Sequence, residues 1–201
     1  IPYEAQEKYL NIILSETDRL TNLTSNLLEL NSFNGDNVLL DITTFNICET
    51  IVQTVNTLEG TAAKKEISFV LDYNTQKELL VEADESKIHQ VLYNLIDNAV
   101  KFSHNNSEIK ISLRKKGAKV FVSVKDSGIG IPKESLNKVF DRFYKTDISR
   151  GKDKRGTGLG LSISKEIIQA HNQTINVVST VDVGTEFVFT LKYHSKKQEA
   201  S

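Results

Sequence analysis

Along the first thirty positions, apolar residues recur at Tyr9, Ile13, Leu20, Leu23, Leu27 and Leu30. Steps of three, four and seven place them on one seam of a helix, with polar residues on the other faces. The pattern predicts one long helix over about 3–31, its seam interrupted at Glu16. A single helix of this kind cannot bury its own seam and needs partner helices. The run Ser32-Phe33-Asn34-Gly35-Asp36-Asn37 breaks the period and reads as a linker.

From about Val38 the pattern switches to alternating strands and helices. Ile51, Val55 and Leu58 predict a helix over roughly 46–65. Ile67, Phe69 and Leu71 alternate as a half-buried strand does, and a short second strand covers 79–82. Asp84 is placed to cap a helix running to about Phe102. Ile109, Ile111 and Leu113, then Val120, Val122 and Val124, form two alternating runs joined by Lys116-Gly117-Ala118, the pattern of a hairpin. A helix follows over about 157–170, and a second hairpin holds Ile175 and Val177 against Phe187, Phe189 and Leu191. This order predicts an α+β fold: a mixed, mainly antiparallel sheet with helices on one face. The other face needs a cover of its own or is only partly apolar.

The 201 residues suffice for one substantial core plus a smaller element. A net charge of −1 gives no electrostatic case for binding nucleic acid or an anionic membrane. The single cysteine, Cys48, excludes an internal disulfide. No apolar run approaches the roughly 18–20 residues of a membrane helix.

Candidate chemistry lies in four places. On the helix 84–102, Gln90, Asn94, Asn98 and Lys101 share the face opposite an apolar stripe. A solvated face explains this, yet asparagine is a weak helix former, and amide oxygens can ligate Mg²⁺. Asp126 has the parity of Val120, Val122 and Val124, so it points to the buried face, either as a turn cap or as an acceptor for an adenine amino group. The following Ser127-Gly128-Ile129-Gly130-Ile131-Pro132 permits close backbone approach to a ligand. Gly156-Thr157-Gly158-Leu159-Gly160-Leu161 opens a helix and leaves N–H groups free for phosphate, but it lacks the Gly-Lys-Ser/Thr ending of a P-loop. Between the two glycine segments, Phe140-Asp141-Arg142-Phe143-Tyr144-Lys145 and the charged stretch 147–155 read as a hinged lid or as an ordinary anchored loop.

Taken in order, these segments resemble the boxes of the sensor histidine kinase catalytic domain. "NLIDNAVKFS" (94–103) resembles the asparagine box, and "DSGIGIP" (126–132) the first glycine box. "FDRFYKTD" (140–147) resembles the phenylalanine box, "GTGLGLSI" (156–163) the second glycine box and "GTEFVFTL" (184–191) the closing strand. The long first helix resembles the second helix of that family's dimerisation hairpin. The resemblance implies a two-layer α/β sandwich of the gyrase, histidine kinase and MutL ATPase type, preceded by one long helix. It divides the chain into hairpin helix 1–32, linker 33–41, catalytic domain 42–193 and tail 194–201. The hairpin's first helix, which bears the phosphorylated histidine, is expected upstream.

The resemblance also implies roles. Asn98, Lys101 and Lys145 are the catalytic candidates, with Asn98 ligating Mg²⁺ and Asn94 beside it. ATP is expected against Asn94, Asn98, Lys101, Asp126, Gly128, Gly130, Phe140, Tyr144, Gly156, Thr157, Gly158, Leu159, Gly160, Leu161 and Thr185, with Asp126 reading adenine. Lys145 replaces the family's usual arginine and loses its bidentate fork. Asn172-Gln173 replaces the usual glycines after His171, and asparagine tolerates the left-handed cap. The implied activity is transfer of the ATP γ-phosphoryl group to a histidine, for relay to a response-regulator receiver domain. A homodimer, a cytoplasmic location and a membrane anchor upstream are implied for the whole protein. Two rivals are an ATP-driven conformational machine on the same fold and a degenerate nucleotide-binding module without activity. His89, His104, His171 and His194 are expected in surface or capping roles, since none precedes an acidic residue as the family's acceptor does.

Overall fold

The computed structural model describes residues 3–32, 39–73, 78–146 and 156–195. Helix α1 (Tyr3–Ser32) is followed by β1 (Thr43–Asn46), α2 (Ile47–Ala63), β2 (Ser68–Asp72), β3 (Leu80–Ala83) and α3 (Glu85–Phe102). Then come β4 (Glu108–Lys116), β5 (Lys119–Lys125), α4 (Lys133–Leu136), α5 (Gly160–Ala170), β6 (Ile175–Thr180) and β7 (Gly184–Tyr193). The seven strands form one sheet in the order β1-β3-β7-β5-β4-β2, with β6 also paired to β7. Among the described residues only β2 and β4 pair in parallel; the other pairs are antiparallel.

Helices α2, α3 and α5 pack on one face of the sheet. Their contribution to the core includes Ile51, Leu58, Ile88, Leu92, Leu95, Ile163 and Ile167, against Ile109, Ile111, Val122, Val124, Phe189 and Leu191 from the strands. The opposite face is only partly apolar. Ion pairs there join Asp72 to Lys110 and Arg114, and Glu82 to Lys192 and His194. The sheet therefore needs no second helical layer.

Local chemistry explains the element ends. Asn46 caps α2 by accepting from the Cys48 N–H at 3.3 Å, and the same oxygen takes the Leu79 N–H at 3.0 Å. Asp84 caps α3 through the Lys87 N–H at 3.1 Å, as its position predicts. Asn172 adopts the left-handed conformation after α5, with φ 56°. Helix α5 starts three residues later than its pattern predicts, because Gly158 has φ +73° and cannot belong to a right-handed helix. Strand β1 and the single turn α4 are short elements that the periodicity does not predict.

Helix α1 is continuous, as its seam predicts. Leu30 is buried in the core and Leu23 packs against it, but Tyr9, Ile13 and Leu20 are each about 60% exposed. The seam is thus covered at Leu23 and Leu30, where α1 meets α5, while Leu27 is 36% exposed and the N-terminal end is open. Of the expected linker and lid, residues 33–38 and 147–155 lie outside the described residues, as does the tail from 196.

Candidate functional site

A cleft of about 220 Å³ opens between α3, the β5–α4 loop, the segment 144–146, the start of α5 and the first residues of β7. Helix α3 contributes Asn94, Asn98 and Lys101, one helical face as their spacing predicts, together with Asp97. Asn94 is a brace: its Nδ2 donates to the Gly160 carbonyl at 3.1 Å and to Ser164 Oγ at 3.4 Å, tying α3 to the start of α5. Asn98 lines the cleft half-buried, and among the described residues no hydrogen bond engages its amide. Its oxygen is thus available to a hard cation, which needs few protein ligands when phosphates supply the rest. Lys101 forms an ion pair with Asp97 at 2.7 Å.

Asp126 ends β5 and is only 5% exposed. Its Oδ1 accepts the Gly128 N–H at 2.9 Å and the Thr185 N–H at 3.1 Å. Among the described residues no donor meets Oδ2, and the residue lines the cleft. Burial pushes this carboxyl up to about 6; the N–H groups of Thr185 and Gly128, and the charge of His104, oppose that rise. A carboxylate in this setting is an acceptor waiting for a donor. Gly128 packs so closely on the Phe102 carbonyl that any side chain would overlap it, so the turn after β5 is fixed to the end of α3. The Ile129 N–H also donates to that carbonyl, at 3.2 Å.

At the opposite wall, Gly156, Thr157, Gly158, Gly160 and Leu161 line the cleft. A Cβ on Gly158 would press on the backbone of Phe143, whose N–H donates to the Gly158 carbonyl at 3.0 Å. Gly160 by contrast has room for a methyl group. Tyr144 and Lys145 also line the cleft, and Tyr144 Oη donates to Ser135 Oγ at 2.9 Å.

The sequence-predicted residues largely converge, with three exceptions. Leu159 is fully buried in the core, because it caps α5 with its side chain turned inward. Phe140 packs edge-on against Phe187 at 6.1 Å, behind the wall rather than on it. Gly128 acts through its N–H on Asp126. The cleft also contains residues that the sequence patterns do not single out: Asp97, Phe102, Ile129, Ile131 and Phe187, and Asn26 from α1. The i, i+4 spacing of Asp97 and Lys101 is the one available signal. No pattern joins Asn26 to residues so far along the chain.

The family model described as histidine kinase-, DNA gyrase B-, and HSP90-like ATPase matches residues 83–195, more than half of the 201. The chain belongs to this ATPase family. Relatives that the chain resembles include sensor kinases. The sensor histidine kinase WalK of Bacillus subtilis strain 168 is 35% identical over 194 residues, 96% of this chain but 31% of that protein. The sensor protein kinase WalK of Staphylococcus aureus is 35% identical over 192 residues, 94% of this chain and 45% of that one. Among solved structures, the catalytic domain of histidine kinase ThkA is 36% identical with a TM-score of 0.68, covering 76% of this chain and 96% of that one. ThkA in complex with the response regulator TrrA is 33% identical with a TM-score of 0.76, covering 98% of this chain and 54% of that one. The chain thus spans less than half of the two WalK relatives. The domain is a sensor histidine kinase ATP-binding catalytic domain on the ATPase family's fold.

Proposed function

We propose that the cleft binds Mg-ATP and that the chain transfers the γ-phosphoryl group to a histidine on a helical hairpin. The observation that carries this reading is the buried Asp126, with one oxygen held by two N–H groups and the other, among the described residues, met by no donor beside an open cleft. That oxygen suits the amino group of adenine. Asn98 is the Mg²⁺ ligand, and Lys101 and Lys145 compensate phosphate charge along with the N–H groups at the start of α5. When bound, Mg²⁺ supplies charge neutralisation across the phosphates. Lys101 must exchange Asp97 for phosphate, or contact both. Phe140 and Leu159 support the site from behind, and Gly128 holds Asp126 in place.

Division of the chain into hairpin helix 1–32, linker 33–41 and catalytic domain 42–193 follows the same reading. The exposed seam at Tyr9, Ile13 and Leu20 is then the surface for the other hairpin helices, including those of a second copy. A response-regulator receiver domain is the proposed phosphoryl acceptor downstream, by analogy with the ThkA–TrrA complex. A membrane anchor elsewhere in the whole protein belongs to this reading too; no described helix of this chain is long and apolar enough to cross a membrane. The test is phosphorylation, by this chain with Mg-ATP, of a histidine-bearing hairpin supplied in trans. Acid-labile label on the hairpin's histidine supports the reading. Nucleotide binding without any such label would leave an ATPase-type machine instead.

A further inference from the structure

We propose that Ser179 is a positioning residue that fixes the proton of the Thr185 hydroxyl. Thr185 then faces the cleft as an acceptor only, and the site prefers purines carrying an amino group at C6 over 6-oxo purines. Ser179 on β6 stands directly opposite Thr185 on β7. Its Oγ lies 2.8 Å from the Gly184 carbonyl oxygen, which can only accept, so the single Ser179 proton points there. The Ile131 N–H donates to the same Oγ at 2.8 Å. The third neighbour is Thr185 Oγ1 at 2.9 Å. With the Ser179 proton committed, this last contact is a hydrogen bond only if Thr185 donates.

The Thr185 proton is therefore held toward β6, and its lone pairs are what remains for the cleft that it lines. Beside it, Asp126 Oδ1 is occupied by two N–H groups. Ionised Asp126 and Thr185 thus form an edge with two acceptors and no donor. An amino group at C6 brings N–H groups to that edge, whereas a 6-oxo group brings a third acceptor. Were Ser179 to lose its hydroxyl, the Thr185 hydroxyl would turn freely and donate to a 6-oxo group. This inference rests on the cleft being an adenine-nucleotide site, and adds the residue that enforces the choice of base.

The experiment is calorimetric titration of the full chain with Mg-ATP and Mg-ITP, which differ at the C6 substituent and the N1 proton. Wild type prefers ATP. Ser179→Ala lowers the ATP-over-ITP preference about tenfold, the worth of roughly one hydrogen bond. Ser179→Thr restores the hydroxyl and the preference, and Ser179→Ala has no further effect in a Thr185→Val background. An unchanged ATP:ITP ratio in Ser179→Ala overturns the inference, and so does an equal loss of both affinities, the mark of a purely structural role. Should Ser179→Ala fail to fold, Thr185→Val decides: it must itself lose the preference, and a retained preference overturns the inference. If wild type binds neither nucleotide, the adenine-nucleotide reading itself fails and the inference falls with it.

Discussion

Replacing Lys65 by methionine tests how the end of α3 is held. The Lys65 ammonium donates to three backbone carbonyls, those of Val100 at 2.8 Å, Lys101 at 2.9 Å and Ser103 at 3.0 Å. Two of these are last-turn carbonyls that have no partner within the helix, and the positive charge also suits the negative end of the helix. Methionine keeps the stem and its packing but removes all three bonds. Charge-assisted bonds contribute about 1.5–3 kcal/mol each, but one half-buried ammonium shares its charge among three acceptors, and water reaches the site in the variant. We expect a loss of about 2–3 kcal/mol, or roughly 5–10 °C in Tm for a domain of this size. The effect reaches the cleft, because the Phe102 carbonyl between these acceptors takes the Ile129 N–H and abuts Gly128. Thermal melting with and without Mg-ATP is the assay, with Lys65→Arg as the partial rescue. A Lys65→Met variant melting within about 1 °C of wild type would refute the three-carbonyl clamp as a stabilising device.

Three further outcomes are expected. Asn98→Ala, which removes a half-buried amide that makes no hydrogen bond among the described residues, should leave the melting temperature nearly unchanged while ATP affinity becomes the same with Mg²⁺ and with a chelator; a persisting Mg²⁺ effect would remove Asn98 from the metal site. Burial raises the Asp126 carboxyl to about 6, so its contribution to stability is full below the unfolded carboxylate value and is lost as pH rises through about 6. The adenine amino group binds the ionised form, so ATP affinity should climb between pH 5 and 7, with protons released on binding, and Asp126→Asn should flatten that climb. Incubated alone with γ-labelled ATP, the chain should acquire no acid-labile label. His171 is committed to the Ile167 carbonyl and the Asp84 N–H, and His194 to Glu82, while His89 and His104 have no acidic neighbour following them; robust labelling would refute this reading of all four.

Much of this molecule is legible in its sequence. Strict alternation locates β4, β5 and β7, and the parity of Asp126 with three valines is enough to turn its carboxylate toward the interior. The polar face of α3 is legible because helical spacing is rigid over a few turns. What escapes shares one physical cause: it acts across the fold through groups that leave no sequence period. Lys65 works on carbonyls about 35 residues away, and any lysine in a loop looks alike. Ser179 works through one proton on a facing strand. Asn94 has the spacing of a ligand and is also a brace, since its Nδ2 donates to the Gly160 carbonyl and Ser164 Oγ across the fold. Leu159 falls inside a glycine motif, yet its apolar side chain belongs to the core.

The central claim is that the cleft beside Asp126 and Asn98 holds Mg-ATP. Isothermal titration of the wild-type chain with a non-hydrolysable ATP analogue and Mg²⁺, repeated with Asp126→Ala, tests it most directly. The account predicts saturable one-to-one binding to wild type and a loss of at least about tenfold in the variant, the cost of an unmet amino donor. Equal affinity for wild type and variant would contradict it, as would no binding to a wild-type chain that melts cooperatively.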